Sequence, residues 1–438
     1  MPLLLLFFEE VENQRVERDH LELGRTVGAE DHFPDLSVGW NMDSRPAVGA
    51  LERSCLRSSL LCGTHTAMVA NRPQDVKPAD FSELVDESRQ DIWRYAACYE
   101  PDVSPQYRLT LGEGWTRALR LPALDRLTGL ELYLKREDLN PCGSHKARSL
   151  AYQVSLALQR GERDLIISSS GNAAVAAAAY SALAGIRLHA FVAPGTHPVK
   201  LAELLHLGAR VIVSTRALNA AKRAALATGF TNLRPSTNDA SIEGFKSIAL
   251  ELYEQVGTLD ALFTFVSSGS SFCGIGRAYR QLCALGCLDQ PPRLFAVRAA
   301  AGGETAPESF SAGAEMLSGM TGRPGELGVR RSRRSTEIAA LASWSGGGVV
   351  EVDGEETAGA LAALNHCGID TSLEGAAALA AAMRLARDGL GGRVAVILTG
   401  HASQRPAEPL DPARLLRADT DEEVLALFEK NYRHYVSK

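Results

Sequence analysis

The 438-residue sequence lacks the patterns that mark several large protein classes. Its formal net charge is −6 and it has no basic run with interleaved aromatic residues, which argues against a nucleic-acid partner. No apolar run is long enough to span a bilayer, since the N-terminal run, residues 1–8, is followed at once by Glu9 and Glu10. No positive region precedes that run, so we predict neither a signal peptide nor a membrane span.

Metal-binding and nucleotide-binding motifs are also missing. The eight cysteines are scattered, without a zinc-ribbon quartet, and no His-Glu-x-x-His motif occurs. Cys62 and His65 have a ligand-like spacing, but no second pair at a matching spacing completes a site. We therefore predict no metal, and reduced thiols in the cytoplasm. The first strand is not followed by Gly-x-Gly-x-x-Gly, which argues against a nucleotide-binding Rossmann enzyme.

Short apolar runs alternate with helix-length periodic segments from Leu130 onward. The length allows two or more domains, and 45% hydrophobic with 22% charged residues fits a soluble globular enzyme. The alternation predicts an α/β protein with doubly wound, mostly parallel open sheets. The predicted strands are 130–135, 164–168, 188–193, 210–214, 261–266, 293–297, 348–352 and 393–398. The predicted helices are 146–160, 172–185, 198–207, 218–227, 241–257, 273–285, 356–366 and 374–388.

The remaining segments carry less information. We interpret residues 1–90 as an irregular N-terminal extension, apart from a helix predicted over Asp86 to Tyr99. The segment 302–335 is rich in Gly, Ser and Arg and is predicted to be an exposed loop. The C-terminal tail is predicted to contain an amphipathic helix near 420–431.

Lys146 is the residue around which the chemistry can be organised. A strand-like run, Leu130 to Leu134, leads into a turn containing Pro141 and Gly143, and Lys146 lies just inside the next helix, with Ser144 as the predicted N-cap. An amine that is partly desolvated in a cleft can lose its proton and form a Schiff base with a carbonyl, most commonly that of pyridoxal phosphate (PLP). Most lysines in a first helical turn are solvated, so the assignment depends on neighbouring motifs.

Three further stretches have the same layout, a buried strand that ends in small polar residues. They are Leu165 to Ala174, Ala261 to Gly274, and Val394 to His401. Loops at the carboxyl ends of parallel strands lie at one edge of a sheet, where ligands bind. Helix N-termini at that edge offer free N–H groups to an anion. The alternative is that the serines only form turns and cap helices.

In this order and at these spacings, the motifs resemble those of fold-type II PLP enzymes, the tryptophan synthase β superfamily, and especially threonine synthase-like enzymes. The resemblance runs from about residue 91 to 405. The segments that carry it are Asp91 to Tyr95, Leu111 to Thr116, Asn140 to Lys146, Ser169 to Ala174, Glu243 to Lys246, and Leu398 to His401.

The resemblance implies a role for each motif. Lys146 would bind PLP covalently and then move substrate protons, and Asn172 would orient the cofactor ring. Thr399 would face the pyridine nitrogen, and His145 matches a histidine near the cofactor phosphate in tryptophan synthase β. The cofactor phosphate would be cradled by Ser267, Ser268, Gly269, Ser270 and Ser271. The substrate carboxylate would be held by Ser169, Ser170 and Gly171.

The resemblance also implies a domain organisation. A large PLP-binding domain would comprise 91–150 and 245–405, a small mobile α/β domain would comprise 151–244, and a helical tail would comprise 406–438. A homodimer is expected, acting on a small amino-acid substrate.

The substrate itself is left open by two departures from the threonine synthase pattern. His145 stands where threonine synthase usually has Phe. Ser241 and Ile242 occupy the stretch where an arginine usually binds the substrate phosphate, and Arg234 is the nearest upstream arginine.

The leading hypothesis is conversion of O-phosphohomoserine to threonine, or a close variant. The alternatives are β-replacement on serine, O-phosphoserine or O-acylserine, as in cysteine or cysteate synthases, and serine or threonine deamination. A non-catalytic paralogue is disfavoured, because it would not need Lys146, Asn172 and Thr399 together.

Overall fold

The computed structural model describes residues 81–300, 334–401 and 415–432, all within one compact unit of the chain, Met68–Lys438. The predicted extension up to residue 80 and most of the predicted loop 302–335 lie outside the described residues.

Two open β-sheets form the framework. The strands of the larger sheet are β1 (Ala118–Arg120), β2 (Glu131–Lys135), β7 (Ala261–Phe265), β8 (Arg293–Ala299), β9 (Gly348–Val352) and β10 (Arg393–Ile397). The strands of the smaller sheet are β3 (Asp164–Ser168), β4 (Arg187–Val192), β5 (Arg210–Val213), β6 (Thr231–Asn232) and β11 (Leu416–Arg417). Their orders are β1-β2-β10-β7-β8-β9 and β11-β5-β4-β3-β6. Every pair is parallel except β1 with β2.

Helices connect nearly all of these strands. They are α1 (Pro122–Thr128), α2 (Lys146–Gln159), α3 (Asn172–Leu183), α4 (Pro198–His206), α5 (Ala217–Thr228), α6 (Glu243–Val256), α7 (Ser270–Ala284), α8 (Ser335–Trp344), α9 (Gly354–His366), α10 (Leu373–Arg387) and α11 (Asp421–Tyr432). Short 3₁₀ helices include Ile92–Cys98, Glu137–Leu139, Pro141–Gly143 and Asp239–Ile242. Parallel strands joined through helices confirm the α/β prediction.

Most predicted elements lie where the sequence placed them, and the exceptions have physical reasons. The helix predicted over Asp86 to Tyr99 is instead the 3₁₀ helix Ile92–Cys98, which contains a non-helical residue, Tyr95. Its packing is fixed by tertiary contacts such as the Trp93 indole N–H, which donates to the Leu109 carbonyl at 2.7 Å. Helix α8 was not predicted, because nothing in the Arg-rich segment before it marks a helix start. It begins at Ser335, the last residue of the predicted loop.

Two glycines allow the helices beside the candidate site to pack backbone against backbone. A Cβ on Gly244, at the start of α6, would lie 2.1 Å from the Arg148 carbonyl oxygen of α2. A Cβ on Gly274, in α7, would lie 2.6 Å from Phe245 Cβ. Helix α6 is therefore wedged between α2 and α7, and the first turns of these helices are held at fixed positions.

Two other properties of the described residues bear on function. No helix in these ranges combines the length and apolarity that crossing a membrane requires. Within the same ranges, no cluster of three or more His, Cys, Asp or Glu side chains could hold a metal ion.

We expect Gly244→Ala to lower the free energy of unfolding by roughly 1–3 kcal/mol, because the added methyl group overlaps the backbone of α2. The matched control is Gly359→Ala in α9, where an added Cβ has nothing within 4 Å. That exposed helical site should gain about 1 kcal/mol instead. Urea unfolding of both variants measures the difference, and equal stability of the two would contradict the described packing.

Candidate functional site

Three of the sequence motifs meet at the carboxyl end of β10. Ser144 pairs with Gly400 in an isolated antiparallel bridge, and the His401 N–H donates to the Gly143 carbonyl at 2.9 Å. A Cβ on Gly400 would lie only 3.3 Å from Asn172 Nδ2. The turn before Lys146, the start of α3 and the loop after β10 are therefore in direct contact, as the loop placement predicted.

Lys146 is the first residue of α2 and is half-buried. Its backbone N–H donates to the Ser144 hydroxyl at 3.3 Å, although the residue that flanks the helix is His145 and not the predicted Ser144. Its Nζ lies 5.3 Å from the centroid of the Phe245 ring. Burial lowers the pKa of Lys146 to about 8, partly opposed by the Glu374 carboxylate. Near physiological pH the neutral, nucleophilic fraction of the amine is therefore much larger than in a solvated lysine, although the ammonium form still predominates.

His145 joins the lysine segment to the loop after β10. Its Nδ1 lies 2.7 Å from the Thr399 carbonyl oxygen, which also accepts the His145 backbone N–H at 3.0 Å. Burial, reinforced by the neighbouring Lys146, holds the pKa of His145 well below its usual value. The ring is therefore neutral, and because a carbonyl can only accept, Nδ1 carries the proton. Nε2 is left as a hydrogen-bond acceptor.

The loop between β7 and α7 offers hydrogen-bond donors at a helix N-terminus. Gly269 precedes α7 with φ +83°, and no side chain caps the helix. Ser267 is exposed and Ser268 is half-buried. The Ser270 hydroxyl is fully buried and donates to the Pro235 carbonyl at 2.7 Å. The Ser268 hydroxyl lies 3.3 Å from that of Ser270. Ser271 is 6% exposed, and its hydroxyl makes no hydrogen bond within the described residues. The side chains left to meet an anion at this end of α7 are therefore those of Ser267, Ser268 and Ser271.

The loop between β3 and α3 is built similarly. The Ser169 hydroxyl accepts the Gly171 N–H at 3.3 Å, Ser170 is exposed, and no side chain caps α3. The Asn172 amide, on the first residue of α3, makes no hydrogen bond with any residue the structure describes. The Thr399 hydroxyl is likewise without a partner in the described ranges, although Thr399 is only 5% exposed. Both groups are thus available to a ligand.

A fully buried ion-pair network, which the sequence did not reveal, lies behind these loops. It comprises Arg148 and Lys135 with Glu137 and Glu251, and all four side chains have 0% exposure. Arg148 bridges the two carboxylates, at 2.6 Å to Glu137 and 2.5 Å to Glu251. Lys135 Nζ lies 2.6 Å from Glu251. Burial raises the pKa of each carboxyl, but Arg148 and Lys135 together outweigh burial and leave both pKa values below normal.

The network also hydrogen-bonds to a further sequence motif, Leu111 to Thr116. The Thr116 hydroxyl donates to Glu137 at 2.6 Å, and the Trp115 N–H donates to Glu251 at 2.8 Å. Arg148 stands only two residues after Lys146, but Glu251 is 103 positions further along the chain. No local pattern could have paired them. The electrostatic neighbour of Lys146, Glu374, was missed for the same reason.

Taken together, the site combines an amine of lowered pKa with an amide and a hydroxyl that are unbonded within the described residues, and with an uncapped helix N-terminus. This donor set could hold an aldehyde that carries a ring nitrogen and a phosphate. Residues 109–400 match the family described as pyridoxal-phosphate dependent enzymes.

The chain belongs to this family. Its cofactor is therefore PLP, and it is an enzyme. The resemblance to fold-type II PLP enzymes is confirmed, and the donor set fits the cofactor.

Relatives of established name support a threonine synthase-like assignment at modest identity. The chain is 33% identical over 198 residues to threonine synthase from Mycobacterium leprae (strain TN), an alignment that covers 44% of this chain and 55% of that protein. Here the chain spans about half the length of its relative. Threonine synthase from Methanosarcina acetivorans is 27% identical over 341 residues, covering 73% of this chain and 82% of that protein.

Solved structures share the fold at lower identity. A PLP-dependent aspartate racemase has a TM-score of 0.54 at 22% identity, covering 66% of this chain and 90% of the racemase. The processed threonine deaminase isoform 2 from Solanum lycopersicum also gives 0.54, at 18% identity, covering 68% of this chain and 85% of the deaminase. These similarities establish the fold alone.

In the cofactor-free protein, we expect Lys146 to react with an amine-directed reagent with an apparent pKa near 8. Glu374→Gln should lower this pKa further, because the lost negative charge had favoured the ammonium form. Labelling between pH 6 and 11, followed by mass spectrometry of the Lys146 peptide, measures both values. Glu355→Gln, in the first turn of α9, is the control. A wild-type pKa near the ordinary value of about 10.4 would contradict the described burial.

Proposed function

We propose that the enzyme acts on an amino acid that carries a leaving group, in a threonine synthase-like reaction. The leading substrate is O-phosphohomoserine, which would give threonine and inorganic phosphate. The observation that carries this proposal is the position of Lys146, which directly follows the turn where the three loops meet and whose pKa is lowered to about 8. The alignments with threonine synthases favour the same reaction.

The chain's own residues would hold the cofactor as follows. Lys146 would bind it covalently, and the amide of Asn172 would orient the ring. Ser267, Ser268, Gly269, Ser270 and Ser271 would surround the phosphate, with Ser270 contributing through its backbone N–H, because its hydroxyl is bonded to Pro235. Thr399 would face the ring nitrogen, and a hydroxyl there does not hold that nitrogen protonated as a carboxylate would. His145 remains assigned to the phosphate, although its neutral Nε2 can only accept.

Substrate binding and proton movement would use the same loops. Ser169, Ser170 and Gly171 would hold the substrate carboxylate at the start of α3. PLP, when bound, withdraws electrons from the substrate α-carbon and so acidifies its proton. The released Lys146 amine would take the protons from the α- and β-carbons. Phosphate would leave from the γ-carbon, a proton would convert that carbon to a methyl group, water would add at the β-carbon, and a proton would return to the α-carbon.

Several features remain predictions. β-Replacement on serine, O-phosphoserine or O-acylserine stays the second candidate, because Ser241 stands where threonine synthases carry a phosphate-binding arginine. Deamination of serine or threonine is the third. We also expect a small mobile domain over 151–244, a homodimer, and a cytoplasmic location.

We expect the purified holoenzyme to release threonine and phosphate in equal amounts from O-phosphohomoserine. Amino-acid chromatography and a phosphate assay measure both products, with cofactor-stripped protein as the control. Parallel incubations should contain O-phosphoserine or O-acetylserine with sulfide or sulfite, and serine or threonine alone. A new β-substituted amino acid without threonine would assign the enzyme to β-replacement, and ammonia with a 2-oxo acid would assign it to deamination.

A further inference from the structure

The proposed substrate carries a negative group at the end opposite its α-carbon. In this chain Ser241 stands where an arginine usually binds that group in threonine synthases. Two other arginines lie in or contact the loop that contains Ser241. Arg334 precedes α8 and is 4% exposed, and Arg234 lies two residues after β6. Their different surroundings decide which of them can receive a ligand.

Arg334 is already engaged with the loop between β6 and α6. Its Nη2 donates to the carbonyl oxygens of Pro235 at 3.0 Å and of Asn238 at 2.9 Å, and lies 3.3 Å from Asp239 Oδ1. A substrate anion would have to displace these contacts. Arg334 therefore supports the loop and is not the arginine that we assign to the ligand.

The backbone at Arg234 lies between the two loops that form the site. Strand β6 pairs in parallel with β3, matching Ile166 with Asn232, and the Leu233 N–H donates to the Ile166 carbonyl at 2.8 Å. Extending this register by two residues brings Arg234 level with Ser168, immediately before the predicted carboxylate loop. On the other side, the next residue, Pro235, accepts the hydroxyl of Ser270 from the predicted phosphate loop.

The residues that the structure describes provide no counterion for the Arg234 guanidinium. It is half-buried, and within the described residues it forms neither a hydrogen bond nor an ion pair. Burial lowers the pKa of Arg234, and no carboxylate offsets that effect. Two residues further on, the buried hydroxyl of Ser236 is also without a hydrogen-bond partner in the described part of the chain. A guanidinium and a hydroxyl two residues apart, both without a partner among the described residues, are suited to an oxyanion such as a phosphate.

We propose that Arg234, assisted by Ser236, binds the distal anionic group of the substrate and makes this enzyme selective for amino acids with an anionic leaving group. The assignment rests on the proposed function, because it places the substrate between the β3 and β7 loops. The Arg234 guanidinium takes over anion binding from the missing arginine, although it stands at a different position of the same loop.

The test measures binding to the holoenzyme by titration calorimetry, without turnover. The probes are 2-amino-5-phosphonopentanoate, in which a methylene replaces the ester oxygen of O-phosphohomoserine, and norvaline, the neutral amino acid of the same chain length. The wild type should bind the phosphonate more tightly. Arg234→Gln should weaken phosphonate binding about 10- to 100-fold, as expected for a lost charged hydrogen bond, and leave norvaline binding unchanged. Arg216→Gln, at an exposed position directly before α5, is the matched control and should change neither.

Four results would overturn the assignment. Equal weakening of both probes in Arg234→Gln would place Arg234 at the α-carboxylate, and a loss of PLP affinity would place it at the cofactor phosphate. Unchanged phosphonate binding, or a wild type without preference for the phosphonate, would remove the anion role. If Arg234→Gln does not fold, Arg234→Lys carries the same test, because it keeps the charge but loses the two-pronged geometry.

Failure of the proposed reaction would be recognised separately. A wild type that binds the phosphonate through Arg234 but makes no threonine would keep this inference and refute the reaction. Threonine formation by an enzyme whose phosphonate affinity does not depend on Arg234 would keep the reaction and refute the inference.

Discussion

The buried ion-pair network around Arg148 is the interaction on which the site depends. Two positive and two negative side chains with no exposure to water would be costly if any one of them were left unpaired, by about 3–5 kcal/mol for a lost partner. The charges balance, and each is held by short contacts. The network therefore fixes the relative positions of β2, the first turns of α2, and the middle of α6. Because Lys146 is two residues from Arg148, its position is fixed as well.

This fixed framework explains how an ordinary lysine becomes reactive. The start of α2 is pressed against α6 by the close contact at Gly244, and Phe245 of α6 lies beside both His145 and Lys146. The aromatic ring and the neutral histidine exclude water from the amine. Desolvation, opposed only in part by Glu374, then lowers the pKa of Lys146. The nucleophilicity of Lys146 is thus a consequence of how α2 packs against α6, and that packing follows from the motif residues Gly244 and Phe245.

The sequence predicted what depends on local pattern and missed what depends on distant partners. The apolar runs that became β3 and β7 end in small polar residues, so their loops could be placed at one edge of the sheets. The two-residue strands β6 and β11 have no such signal. The pairing of Arg148 with Glu251 could not be predicted either, since 103 positions separate them. The availability of Arg234 is a property of its surroundings, and only the folded chain defines those.

We expect the cofactor to be held by Lys146 and by no other lysine. The most direct measurement is borohydride reduction of the purified holoenzyme, which converts a carbon–nitrogen double bond into a stable amine, followed by protease digestion and mass spectrometry. The account predicts one peptide with the mass of reduced phosphopyridoxyl, modified at Lys146. A modification at the fully buried Lys135 or another lysine, or an unmodified protein that had bound PLP, would contradict it.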